Sequence, residues 1–145
     1  MRRKTLATRE NLGYLLAKAS QRWNELLHEE LVAAGYAEVR PAYGSVLLPL
    51  FEEDGLRMGE LARRSRLAKQ TMTTLVRLAE RDGLLSRRPD PDDGRAARVC
   101  LTPRARGFEP VAGRVLARLE RRVAGRLSPA KRKKLSESLK EVMSL

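Results

Sequence analysis

Cysteine and histidine are nearly missing from this chain: Cys100 and His28 stand alone among 145 residues. A single cysteine excludes an intramolecular disulfide framework and any multi-cysteine zinc site. One histidine leaves little for a histidine-based metal centre or a nucleophile–base pair. No glycine-rich phosphate loop, clustered carboxylate pair or nucleophile motif is present, so the chain reads as a non-enzyme with no metal and no cofactor. Aromatic residues make up only 4%, too few for a platform on which single-stranded bases would stack. The longest apolar run, residues 46–51, falls far short of the roughly 20 residues that cross a bilayer. The charged opening, residues 1–5, leads into no apolar run of about 7–15 residues. No secretory signal and no membrane contact are therefore expected, and the protein is expected to be soluble and cytoplasmic.

What the sequence has in excess is positive charge. The formal net charge is +12 and the isoelectric point near 10.8. Residues 56–106 carry 13 basic and 6 acidic groups and residues 107–145 carry 10 and 4, against 6 and 4 in residues 1–35 and 1 and 4 in residues 36–55. Clustered arginine suits a polyanion, most simply duplex nucleic acid; charge alone is equally compatible with a solvated surface. With 42% apolar residues and no low-complexity tract, the chain has the material for one folded domain.

Apolar periodicity organises the chain. Leu12, Leu15, Leu16, Ala19, Trp23, Leu26, Leu27 and Leu31 recur at steps of three and four, which predicts one long helix over 9–34, capped by Thr8 and stopped by Gly35. A long apolar stripe at a chain terminus suits a partner subunit. Arg40-Pro41 opens a second helix with Val46, Leu47, Leu50 and Phe51 inward. Pro49 predicts a kink or early stop there, because it removes a backbone donor. Two short helices follow, about 58–64 with Leu56, Met58, Leu61 and Ala62 inward, and 69–82 with Met72, Leu75, Val76 and Ala79 on one face. Only a short turn separates them, which is helix-turn-helix spacing. Residues 84–88 and 95–101 read as two strands around a segment dense in turn formers, with Val99 and Leu101 inward and Arg98 and Cys100 outward. Thr102-Pro103 and Ser128-Pro129 each open a further helix.

The run Gly59-Glu60-Leu61-Ala62, then Lys69-Gln70-Thr71-Met72-Thr73-Thr74-Leu75-Val76, then Glu80-Arg81-Asp82-Gly83-Leu84, then Arg88-Pro89-Asp90-Pro91-Asp92-Asp93-Gly94-Arg95, then Leu101-Thr102 resembles a MarR-type winged helix-turn-helix transcriptional regulator. The wing element Asp93-Gly94-Arg95, with the Leu-Thr that opens the next helix, is its most specific part. The resemblance implies an α-helical homodimer whose terminal helices interlock while two winged-helix lobes grip DNA. Gly44 and Pro49 inside the second helix depart from the family pattern, as does Ala79 where a larger aliphatic is common.

A recognition helix must turn hydrogen-bonding groups to the major groove, whose base edges carry a readable pattern. The outer side of 69–82 offers Lys69, Gln70, Thr71, Thr73, Thr74 and Arg77; glutamine can pair with adenine and arginine with guanine or phosphate. Arg95 follows a tight turn and so projects toward a minor groove. By the resemblance Asp93 faces away from DNA, pairs with a nearby arginine and holds the hairpin. Arg87 and Arg88 are candidates for phosphates or for that partner. A polar helix face and a local turn ion pair are the plainer alternatives. Arg118, Arg121, Arg122, Arg126 and residues 131–134 form a second basic block, read as a solvated face. The resemblance also implies a crevice for a small aromatic or anionic effector near Trp23, Leu27, His28, Tyr36 and Tyr43, for which plain core packing is the alternative. No redox role is expected of Cys100.

The fold expected is all-α with a small two-stranded β wing: an N-terminal dimerisation helix in 1–35, a winged helix-turn-helix lobe in 36–102, and C-terminal dimerisation helices in 103–145. The function expected is sequence-specific regulation of transcription, as a repressor, by a homodimer on a pseudo-palindromic DNA site, with recognition helix 69–82 in the major groove and wing 84–101 at the minor groove. A basic protein coating DNA without sequence preference, and a helical adaptor that docks another protein, are the alternatives.

Overall fold

The computed structural model describes Thr5 and residues 7–145; the charged opening weighed for a secretory signal lies largely outside these. Helix α1 spans Leu12–Ala33. It begins later than the periodicity implies because Asn11, not Thr8, caps it: the Asn11 side chain accepts the Gly13 and Tyr14 amides at 3.0 and 3.4 Å. Gly35 stops it with φ +86°, a left-handed conformation that costs glycine nothing. The apolar stripe of α1 is covered only toward its C-terminal end. Leu31 is buried, whereas Leu12 and Leu15 are 60% and 47% exposed.

A single 3-10 turn at Pro41–Tyr43 leads into α2, Gly44–Glu52. The helix does not stop at Pro49 but continues through it to Glu52. Proline has no N–H to give the carbonyl four residues back, here that of Ser45. The Ser65 hydroxyl, from the end of a neighbouring helix, donates to that carbonyl instead. The lost bond is thereby replaced from outside the helix.

Ahead of the next helix Leu56–Arg57 form a short strand β1, and Leu56, counted with the inward face of that helix, is buried from the strand instead. The wing is therefore part of a three-stranded antiparallel sheet rather than two strands. Two residues are too few to show alternation in sequence, and β1 is defined by its partner. Helix α3 spans Met58–Arg64 and α4 Lys69–Arg81. The turn between them lacks glycine, and Arg66 takes the left-handed conformation itself, at φ +54°. Strands β2, Leu85–Pro89, and β3, Ala97–Leu101, complete the sheet in the order β1-β3-β2. Leu56 lies opposite Val99, and Leu85 opposite Leu101, so one sheet face feeds the core.

Helix α5, Pro103–Ala124, is capped by the Thr102 hydroxyl, which accepts the Ala105 amide and donates to the Gly83 carbonyl. Helix α6, Pro129–Met143, is capped by Ser128. One core joins Leu31, Tyr43, Leu50, Leu61, Met72, Val76, Leu84, Val99 and Phe108. Helix α6 buries no residue. No described helix is long and apolar enough to cross a membrane.

The replacement bond at Pro49 has a measurable consequence. Ser65→Ala leaves the Ser45 carbonyl without a donor and is expected to cost about 1–2 kcal/mol in urea denaturation. In a Pro49→Ala background, where an N–H is restored, the same substitution should cost much less.

Candidate nucleic-acid interface

Helix α4 has apolar residues where the core needs them. Met72, Val76 and Ala79 are buried, four and three residues apart, so they occupy one edge. The opposite edge carries Lys69, Gln70, Thr71, Thr74 and Arg77, all exposed, with Thr73 half-buried. The Thr73 and Thr74 hydroxyls donate to the carbonyls of Lys69 and Gln70 at 2.8 and 3.1 Å. Those donors are used within the helix, leaving lone pairs and methyl groups on the surface. The C-terminal end of α4 is tied down by Tyr43, whose buried phenol donates to the Asp82 carboxylate at 2.5 Å. Burial first, and then that carboxylate, push the Tyr43 phenol up to about 12, while the bond lowers Asp82 below the usual carboxylate range.

The wing packs against α4 through β2. Arg88 and Arg95 are exposed. Among the described residues, none of Lys69, Arg77, Arg88 and Arg95 forms an ion pair, whereas Arg63, Arg64, Arg81 and Arg87 all do. Arg87, expected to meet phosphate or Asp93, instead holds both Glu80 oxygens at 3.0 and 3.1 Å, fastening β2 to α4.

The hairpin support expected of Asp93 is divided. Asp93 accepts the Arg95 amide at 3.0 Å and so shapes the turn, but among the described residues it makes no ion pair. Asp90 makes that contact. It is the one buried charged residue described, 3% exposed, and accepts Arg57 at 2.5 Å, Arg98 at 3.2 Å and the Asp92 amide at 2.8 Å. The guanidinium of Arg57 foremost, with the Asp92 amide, holds the Asp90 carboxyl down to about 2. Sequence reading missed Asp90, Arg57 and Glu80. An acid within a turn-forming run gives no sign of burial, and Arg57 reaches the wing only through β1.

The second basic block lies elsewhere. Helix α5 has 22 residues, about 33 Å at 1.5 Å per residue, and Arg118, Arg121 and Arg122 occupy its end remote from the wing. These residues are exposed, and Arg118 pairs with Glu30 at 3.3 Å.

A cavity of about 180 Å³ lies between α1, α2 and α5. Trp23 and Leu27 line it, with Phe51, Phe108 and Leu116, and Arg40 is its one charged lining residue. Three residues expected with them are placed elsewhere. His28 is exposed, Tyr36 stacks on Phe108 at 4.9 Å under the Arg104 guanidinium, and Tyr43 is wholly core. Tyr43 turns into the core, where its phenol meets Asp82, while its neighbours Pro41 and Gly44 line the cavity.

A sequence profile described as the MarR family matches residues 45–96, from α2 to the wing loop. The HTH-type transcriptional repressor Mb2911 of Mycobacterium bovis is 30% identical over 95 residues, 66% of this chain and 68% of that protein. The HTH-type transcriptional regulator TtmR of Methylorubrum extorquens is 34% identical over 84 residues, 58% of this chain and 39% of the relative. The match thus spans well under half the length of TtmR. Among solved structures, the PcaV transcriptional regulator from Streptomyces coelicolor, in complex with its natural ligand, superposes with a TM-score of 0.83 at 24% identity, covering 99% of this chain and 98% of its own. The transcriptional repressor CouR, bound to a 23-mer DNA duplex, superposes with a TM-score of 0.80 at 26% identity over 98% and 99%. All four bear the names of transcriptional regulators or repressors.

The Tyr43–Asp82 bond sets an alkaline limit. Because the folded phenol titrates near 12 rather than at 10, its contribution is complete below pH 10 and is lost as pH climbs toward 12. Tyr43→Phe should destabilise the protein by about 1–2 kcal/mol at neutral pH. The difference between the two proteins in denaturant titrations should shrink across that alkaline window.

Proposed function

The chain belongs to the MarR family, and from that premise we propose that it is a homodimeric, sequence-specific repressor of transcription that binds duplex DNA. The outer edge of α4, with Lys69, Gln70, Thr71, Thr73, Thr74 and Arg77, meets the major groove. Arg95 enters the adjacent minor groove, and Arg88 binds backbone phosphate. The observation that carries this reading is the selective pairing of cations. Around α4 and the wing, Arg57, Arg63, Arg64, Arg81, Arg87 and Arg98 are neutralised by carboxylates, whereas among the described residues Lys69 and Arg77 on the exposed side of α4, and Arg88 and Arg95 on the wing, are exposed without one. Phosphates are the counterions such cations lack. Arg87, held by Glu80, serves the lobe rather than the DNA. The likeness to CouR on its duplex supports the partner, and the repressor among the relatives supports the sense of regulation.

Dimerisation is supported by apolar surface. Leu12, Tyr14 and Leu15 on α1, and Leu135, Leu139, Val142 and Met143 on α6, stand exposed in the single chain, and bare faces of this kind mark association surfaces. On this reading residues 1–35 and 103–145 build the pair and residues 36–102 form the DNA-binding lobe. A two-fold pair reads a pseudo-palindrome with half-sites roughly 10 base pairs apart. The cavity supports a small effector: it is of a size to hold one aromatic ring, and Arg40 would answer an anionic group on it. PcaV, bound to its natural ligand, lends this reading its precedent.

Selection of bound duplexes from a random pool tests the proposal. A dimer should enrich a two-fold-related sequence. Less than about tenfold preference for any sequence would instead favour a protein that coats DNA by charge, and no retention even at low salt would favour an adaptor. On the enriched duplex, Arg95→Ala should weaken binding by about 1–3 kcal/mol in a fluorescence titration while sedimentation still reports a dimer.

A further inference from the structure

The outer face of the wing sheet sets three guanidiniums in a row. Arg57 lies opposite Arg98, and Arg98 opposite Arg88, across three strands. Like charges directly opposed destabilise a sheet, so a row of this kind needs a counter-charge. Asp90 supplies it from the same face, one step beyond β2. It is covered by the guanidiniums it binds, accepting from Arg57 on β1 and Arg98 on β3. Its backbone amide donates to the Ala96 carbonyl at 3.0 Å, and its second carboxylate oxygen takes the Asp92 amide. Residues 91–95, all exposed, are thus closed off at their base by one side chain. Through Arg57 that side chain also reaches the strand immediately before α3.

We propose that Asp90 is the positioning residue of the wing: by tying Arg57 and Arg98 to the base of the loop, it holds Arg95 in place relative to α4. The inference rests on the reading of Arg95 as a DNA contact. Asp90 touches no DNA itself; it removes the disorder that the loop would otherwise lose on binding. Asparagine cannot replace it, because a neutral amide accepts more weakly from two guanidiniums and brings a donor that faces them.

A double-mutant cycle tests this on the highest-affinity duplex recovered from the random pool. Asp90→Asn should weaken binding about tenfold in the Arg95 protein and have almost no further effect in the Arg95→Ala protein. The amides of residues 92–96 should exchange faster in Asp90→Asn, while those of α4 keep their protection. If Asp90→Asn proves too unstable to hold the fold, Arg57→Met together with Arg98→Met cuts both ties and carries the same expectation. Unchanged affinity in the folded variant, or losses that multiply independently in the double variant, overturns the tether and leaves Arg95 as a contact. No loss on Arg95→Ala alone overturns both readings.

Discussion

Burial of one edge of α4 is the constraint on which the interface depends. Met72, Val76 and Ala79 are closed inside the core, which fixes the rotation of the helix about its own axis. Once that rotation is fixed, Lys69, Gln70, Thr74 and Arg77 have no direction left but outward. At the end of α4 the Leu84 amide donates to the Ala79 carbonyl at 2.9 Å. The Tyr43 bond to Asp82 then fastens this end from below. Packing, rather than any property of the polar residues, makes the exposed edge available.

Electrostatics refines what packing presents. The lobe holds many arginines, and the carboxylates are distributed so that most of these are matched within it. Glu80 takes Arg87, Glu53 and Glu60 take Arg64, and Asp90 takes Arg57 and Arg98. Exposed pairs of this sort add little stability. Their consequence is to decide which positive charges remain available to a partner. The buried carboxylate of Asp90 differs, because it joins three chain segments and stays ionised down to about pH 2. Its contribution is complete above the ordinary carboxylate range and is lost only as acid approaches that value.

Much of this was legible in the sequence where a feature repeats or is local. The steps of three and four along α1 and α4, and the Thr102-Pro103 and Ser128-Pro129 caps, are local signals, and the helices stand where those signals lie. Features that depend on a distant partner were not legible. β1 exists because β3 pairs with it. Pro49 is tolerated because Ser65 reaches across from another helix. Asp90 was one acid among several in a turn, and only the fold brings Arg57 to it. Tyr43 was grouped with the effector crevice because the resemblance puts that crevice where the terminal helices meet the lobe, yet it is wholly core and bonds to Asp82. In each case proximity in space, absent from the local pattern, decided the outcome.

The central claim is that a two-fold pair presents α4 to the major groove and the wing to the minor groove beside it. Methylation interference on the selected duplex reads both grooves at once, since methylated guanine N7 lies in the major groove and methylated adenine N3 in the minor. The account predicts two blocks of guanine interference about 10 base pairs apart, each flanked by adenine interference. Interference confined to one groove, or a single block with no two-fold mate, would contradict it.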